Sequence, residues 1–288
     1  MDPLDRIEQT LETAIACAEQ DSPRKLAAAL RYAVFPGGAR LRPKLCMSVA
    51  WACGADDWAL AEGAGAAIEL LHCASLVHDD LPCFDDSDMR RGKLSLHRAF
   101  GEPLAVLTGD ALIVMAFDAL AVGAQNRPGR LGPLVRIVSQ AGGAAGGIAA
   151  GQAWECEPQI DLSRYHCAKT GSLFAAATMA GAAAAGVPHE AWRNVGAYIG
   201  EAYQVADDIR DAVGDANVLG KPVGRDVALA RPSACRELGV QGAIHRLDDL
   251  VDMAISAIPA CPRAAELSGL ICQEAMRFLP DDIARLAA

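Results

Sequence analysis

Residues 56–77 place apolar side chains at three- and four-residue spacing without a proline, a pattern that buries a continuous face only as an α-helix. The same spacing returns in residues 104–122, 191–213 and 240–258. Alternating strand patterns closed by Asn-Gly or Asp-Gly turns are absent. Punctuation comes from Pro36-Gly37-Gly38, Gly101-Glu102-Pro103, Arg127-Pro128-Gly129, Gly186-Val187-Pro188 and the stretch 214–224. No linker, repeat or low-complexity tract divides the chain. Residues 1–288 therefore read as one all-α domain of about ten helices, each of roughly 8–20 residues. Apolar residues make up 52% of the chain and aromatics 5%, so the core must be built mainly from Ala, Leu, Val and Ile.

A net charge of -10 argues against a general nucleic-acid surface, though not against a phosphorylated ligand held through cations. The start, Met1-Asp2-Pro3-Leu4-Asp5, has neither the basic nor the apolar region of a secretory signal. The stretches 142–151 and 175–186 are too short to span a bilayer, and Asp110 and Asp118 interrupt 104–122. No transmembrane segment and a cytoplasmic location are expected. Ten cysteines occur without a Cys-x-x-Cys pair; Cys17, Cys46, Cys53 and Cys73 lie in apolar helical context and read as reduced, buried thiols.

The densest chemical signal is His78-Asp79-Asp80-Leu81-Pro82-Cys83-Phe84-Asp85-Asp86-Ser87-Asp88, followed by Met89-Arg90-Arg91-Gly92-Lys93. Carboxylates packed so closely repel one another unless a cation joins them or some take up protons. Magnesium favours such oxygen donors and completes its shell with water and substrate phosphates. Pro82 interrupts the helix, so a bulge there can bring Asp79 and Asp85 to one metal. The competing structural reading is a solvated acidic helix end; the apolar stem before it points instead to the mouth of a cavity.

A second acidic site is Tyr203-Gln204-Val205-Ala206-Asp207-Asp208-Ile209-Arg210-Asp211. Asp207 and Asp211 share a helix face, with Asp208 turned by about 100°. Alone this spacing is weak; two acidic sites in one helical domain make a facing pair. Basic residues supply what an anionic substrate needs: Arg40 and Arg42, Arg90 and Arg91, Lys169-Thr170-Gly171, Lys221 and Arg225. Singly, each reads as a surface residue. No Gly-x-Ser-x-Gly elbow, dinucleotide-binding glycine turn or Walker-type loop is present.

These residues resemble the trans-prenyltransferases of the polyprenyl synthase family, over most of the chain from Gly37 to about Ser233. Asp79-Asp80-x4-Asp85 looks like the family's first aspartate-rich motif with two extra residues, and Asp207-Asp208-x-x-Asp211 like the second. Arg90-Arg91-Gly92, Gly109-Asp110, Gly151-Gln152, Lys169-Thr170-Gly171, Tyr203-Gln204 and Gly220-Lys221 follow in the family's order. The resemblance implies an isoprenoid synthase-type bundle of antiparallel helices around a deep apolar cavity, forming a homodimer. It implies that Asp79, Asp85 and Asp207 ligate about three Mg2+ ions on an allylic diphosphate, supported by Asp80, Asp208 and Asp211. Arg90, Lys169, Thr170, Gln204, Lys221 and Arg225 would serve that diphosphate, while Arg42, His72 and Arg91 would hold isopentenyl diphosphate.

Three departures stand out: Ala39 replaces a family Lys, Arg225 another Lys, and Glu155 the usual Asp after Gly-Gln. Ala39 removes a charge from the isopentenyl diphosphate site, and whether Arg40 replaces it is open from sequence. Ala74 and Ser75 lie about 6–7.5 Å along the helix before Asp79, where a growing tail would end. Small residues there leave room past fifteen carbons, with Leu70 and Leu71 as a floor, so geranylgeranyl diphosphate is the expected product. Alternatives are a farnesyl diphosphate synthase, a regulatory subunit of a synthase, and a terpene cyclase. Arg42, His72 and Arg91 argue against the cyclase, and two intact acidic motifs argue against the subunit.

Overall fold

A computed structural model describes residues 3–35, 38–159, 161–213 and 233–277. Its helices, in chain order, are α1 (Pro3–Asp21), α2 (Arg24–Val34), α3 (Leu41–Ala52), α4 (Trp58–Asp79), α5 (Leu96–Phe100), α6 (Glu102–Gly123), α7 (Leu131–Gly142), α8 (Ile148–Ala153), α9 (Leu162–His166), α10 (Ser172–Ala184), α11 (Arg193–Val213), α12 (Ala234–Ser256) and α13 (Ala264–Met276). Among the described residues ten of these run eleven residues or longer, as the periodicity implies.

The bundle is organised around α4. Its sequence is apolar almost all the way round, so it must be covered on every side. Asp57 caps its start by accepting the Ala59 N–H at 3.1 Å. α1, α3, α6 and α10 wrap it, while α11 lies outside α10 and pairs with α12. At the α4–α6 crossing, a Cβ on Gly63 would sit 2.6 Å from the Ala119 carbonyl, and one on Gly123 2.7 Å from that of Ala59. These two glycines let the backbones touch. By length and composition α4 and α6 are also apolar enough to cross a membrane, Asp110 and Asp118 notwithstanding. In the bundle 78% of the α4 window is buried, against 39% for α6.

Three details differ from the sequence reading. Residues 89–94 form a hairpin of two-residue strands, β1 (Met89–Arg90) and β2 (Lys93–Leu94), turned by Arg91 and Gly92 at φ 52° and 75°. That turn needs left-handed backbone at both central residues, and strands so short leave no alternation to read. α12 begins earlier than expected but breaks at Gly239, φ 71°, so its regular part starts at Val240 as the pattern implies. Cys46, Cys53 and Cys73 are buried with their thiols pushed up to about 12 by burial, but Cys17 is exposed. It faces away from the α1 stripe of Ile7, Leu11 and Ile15.

Arg40 settles what Ala39 left open. Its side chain is fully buried and turned inward, bonding Glu69 at 2.7 Å, Glu8 at 2.8 Å and the Val34 carbonyl at 3.0 Å. It ties α1, α2 and α4 together and does not replace the missing lysine. Because Glu69 is equally buried, removing one partner strands a charge, whereas removing both does not. We predict that Arg40→Met lowers the unfolding free energy by about 3–5 kcal/mol in urea denaturation. Arg40→Met/Glu69→Leu should recover most of that loss.

Candidate active site

Helix α4 ends at Asp79, and Asp80 is its C-cap. The Asp85 N–H then donates back to the Asp79 carbonyl at 3.0 Å, and Ser87 N–H to that of Asp80 at 3.1 Å. Pro82 cannot continue the helix, and the chain folds into a tight turn. The turn is the bulge that the sequence suggests. It brings oxygens of Asp79, Asp85 and Glu155 within 4.8 Å of one another.

The remaining carboxylates of the cluster point elsewhere. Asp80 is buried and held by the Arg90 guanidinium, with Nε at 3.0 Å and Nη2 closer still. Burial pushes its carboxyl above the ordinary value, and the hydrogen bond from Arg90 works against that rise. Asp86 and Asp88 turn outward to Arg98, at 3.6 and 2.6 Å. Two carboxylates converge, one anchors Arg90, and two belong to the surface.

Lys169 and Thr170 sit on a π-helical turn, Cys167–Gly171, between α9 and α10. Lys169 Nζ donates to Asp79 at 3.1 Å and to Glu155 at 2.6 Å. Burial works against its charge, but Asp79 and Glu155 outweigh this and raise its pKa. On the next residue, Thr170 Oγ1 donates to Gln204 Oε1 at 3.2 Å. Gln204 in turn donates to Asp208 at 3.2 Å, and Asp208 accepts the Ala234 N–H at the start of α12, 2.8 Å away. The π turn thus links the two acidic motifs, through Lys169 to α4 and through Thr170 to α11.

Of the three aspartates that the resemblance implies as metal ligands, Asp79 and Asp85 lie within 4.8 Å of each other, with a Glu155 oxygen in the same group. Asp207 lies on α11, which reaches the first motif through the π turn, and it pairs with Arg210 at 3.3 Å. Asp211, one turn on, is half-buried on the same helix. Asp208 accepts the Ala234 N–H and so helps hold the start of α12. Lys221 and Arg225 lie outside the described residues. Glu155 was visible in sequence only as a departure after Gly-Gln; its place three residues beyond Gln152 was the available signal.

A second group gathers Arg42, His72 and Arg91, with the Glu69 carboxylate also acting on Arg42. Arg42 is buried with its guanidinium 4.4 Å from the Phe174 ring and 5.9 Å from Tyr203, and its Nε has no hydrogen-bond partner. Burial holds its pKa below the ordinary value, and Arg91 adds repulsion. His72 is pushed well down by burial and by Arg42 and Arg91. Arg91 packs on Gly38, where a Cβ would meet its Nη2 at 2.8 Å. A buried donor without an acceptor, beside like charges, fits an anion. Between His72 and Asp79, Ala74 is buried and Ser75 returns its hydroxyl to the His72 carbonyl at 2.8 Å.

A helical bundle that offers converging carboxylates for hard cations beside a separate cationic seat defines a class of proteins built to bring two phosphorylated molecules together. The polyprenyl synthetase family model matches residues 23–256, and the chain belongs to that family. It is 55% identical to a geranylgeranyl diphosphate synthase of Cereibacter sphaeroides, over 97% of both chains. Identity to the enzyme of that name from Rhodobacter capsulatus is 53%, over 92% of both. Among solved structures it resembles a Helicobacter pylori geranyltransferase complexed with magnesium and isoprenyl diphosphate, at TM-score 0.77 and 27% identity, covering 96% of this chain and 98% of that one.

The depressed His72 pKa gives a stability prediction. Between the lowered folded value and 6.5, the unfolded chain binds a proton that the folded protein refuses, so stability falls as pH drops through that window. His72→Gln should flatten the pH dependence of unfolding below pH 6.5, by up to about 1.4 kcal/mol per pH unit. Urea titrations from pH 7.5 to 5 measure it.

Proposed function

We propose that the chain is a trans-prenyltransferase that condenses an allylic diphosphate with isopentenyl diphosphate to give geranylgeranyl diphosphate. The observation that carries this reading is the closure of Asp79 onto Asp85 at the end of α4, with Lys169 beside Asp79; Arg42, His72 and Arg91 would form a second seat for an anion. Two differently built seats suit two diphosphates. The similarity to enzymes named geranylgeranyl diphosphate synthases supports the product.

The oxygen donors of Asp79 and Asp85 fit magnesium, with Asp207 serving further ions toward the complement of about three that the resemblance implies. Bound there, the cation supplies charge neutralisation for a departing diphosphate. The protein's own part is to orient that group. Lys169 and Arg90 offer donors from opposite sides of Asp79, at 3.1 and 3.9 Å. Arg42, His72 and Arg91 hold the isopentenyl diphosphate, with Phe174 and Tyr203 walling it from water. No side chain is assigned as base; the released diphosphate takes the proton. Ala74 and Ser75 admit the tail, with Leu70 and Leu71 buried one turn below.

With Mg2+, farnesyl diphosphate and labelled isopentenyl diphosphate, a twenty-carbon diphosphate is the expected product, and chelation should abolish its formation. Ala74→Tyr, supplied with geranyl diphosphate, should stop mainly at fifteen carbons. A cyclic hydrocarbon, or no elongation, contradicts the reading; unchanged twenty-carbon product from Ala74→Tyr contradicts the account of length.

The proposed homodimer rests on α6. Val106, Leu107, Ile113, Val114 and Val122 line its outer face at helical spacing, Val114 69% exposed. A second copy of the chain covers such a stripe, and the proposed cytoplasmic location is consistent with it. Val114→Glu should shift the protein from dimer toward monomer in sedimentation equilibrium; a dimer unchanged by this substitution contradicts the assignment.

A further inference from the structure

Glu155 contacts the chemistry without belonging to either aspartate motif. It lies on the single turn that follows α8, at Trp154–Cys156, and receives donors from three segments. Lys169 Nζ and Tyr165 Oη both reach its Oε1 at 2.6 Å, and Gln152 Nε2 reaches Oε2 at 3.1 Å. Gln152 and Glu155 are three residues apart, the spacing that puts two side chains on one helical face. The adjoining glycine has its own part. A Cβ on Gly151 would stand 2.6 Å from both N and Cα of Lys169, so only glycine lets α8 seat against the π turn. Gly151, Gln152 and Glu155 therefore form one device, and every part of it bears on Lys169.

Lys169 stands between two anions, and the shorter contact is to Glu155. Without that carboxylate the ammonium would have only Asp79 to neutralise, and it would compete there with any divalent ion. With it, the ammonium is drawn toward Glu155, and Asp79 remains able to ligate. We infer that Glu155 is a positioning residue, which holds the Lys169 ammonium beside the cation site so that Asp79 stays available and the allylic diphosphate meets an oriented donor. Tyr165 and Gln152 fix the carboxylate in turn. This rests on the proposed roles of Lys169 and Asp79. It adds that Glu155, although its oxygen lies near those of Asp79 and Asp85, acts through Lys169 and not as a ligand.

The test is a double-mutant cycle on the full-length protein, with thermal melts to establish that each variant folds. Glu155→Gln should raise KM for the allylic diphosphate and the magnesium concentration for half-activity, and lower kcat by about tenfold, the scale of one charge-assisted hydrogen bond. KM for isopentenyl diphosphate should not move. Glu155→Asp, which restores the charge, should recover most of the activity. In a Lys169→Ala background, Glu155→Gln should add little further loss. The inference is overturned if folded Glu155→Gln has wild-type constants, if both substrates' KM values rise together, if Glu155→Asp is as impaired as Glu155→Gln, or if the two losses multiply. Full activity of Lys169→Ala would instead remove the role proposed for Lys169 itself, a separate failure visible in the same data.

Discussion

Carboxylates crowded at the end of an apolar helix set the terms for everything around them. Asp79, Asp80, Asp85, Asp86 and Asp88 cannot share one helix end without compensation, because at a few ångströms and reduced dielectric their repulsion exceeds what such a turn can bear. The fold separates them by geometry. The turn at Pro82 sends Asp85 back over Asp79, Arg90 takes Asp80, and Arg98 draws Asp86 and Asp88 outward. What remains is a concentrated pair of carboxylates, Asp79 and Asp85, with Lys169 and Arg90 beside Asp79. That residual negative charge makes the site a place for hard divalent ions.

The bundle around this site serves two opposed needs. α4 is apolar along most of its length and strongly polar at its end. Close backbone contact with α6 at Gly63 and Gly123 supports the first, and it uses few aromatic residues. A π turn supports the second. Such turns widen a helix by one residue and often occur where side chains must be aimed. Here the turn directs Lys169 to α4 and Thr170 to α11, so that one short segment sets both acidic motifs. In the Arg42, His72 and Arg91 group, the Arg42 guanidinium lies over the Phe174 and Tyr203 rings, at 4.4 and 5.9 Å.

Much of this was legible in the sequence because it is local. Apolar spacing marked α4, α6, α11 and the regular part of α12 to within about two residues, and Pro82 marked the break that closes Asp85 on Asp79. What escaped depends on contacts distant in sequence. The burial of Arg40 comes from Glu8 and Glu69, which no window around position 40 contains. Glu155 looks like a minor exchange in sequence, because Tyr165 of α9 and Lys169 of the π turn reach it only in the fold. That Asp208 also holds the first N–H of α12 depends on a partner 26 residues away. The hairpin at 89–94 was too short to announce itself.

The central claim is that the turn at Pro82 makes Asp79 and Asp85 joint ligands of one cation at the end of α4. Crystals grown with Mn2+ and a non-reactive thio analogue of an allylic diphosphate test it directly, through anomalous scattering at the manganese edge. The account predicts an anomalous peak within coordination distance of both Asp79 and Asp85, with the analogue's phosphate on its far side. Analogue bound with no peak between those two carboxylates would contradict it.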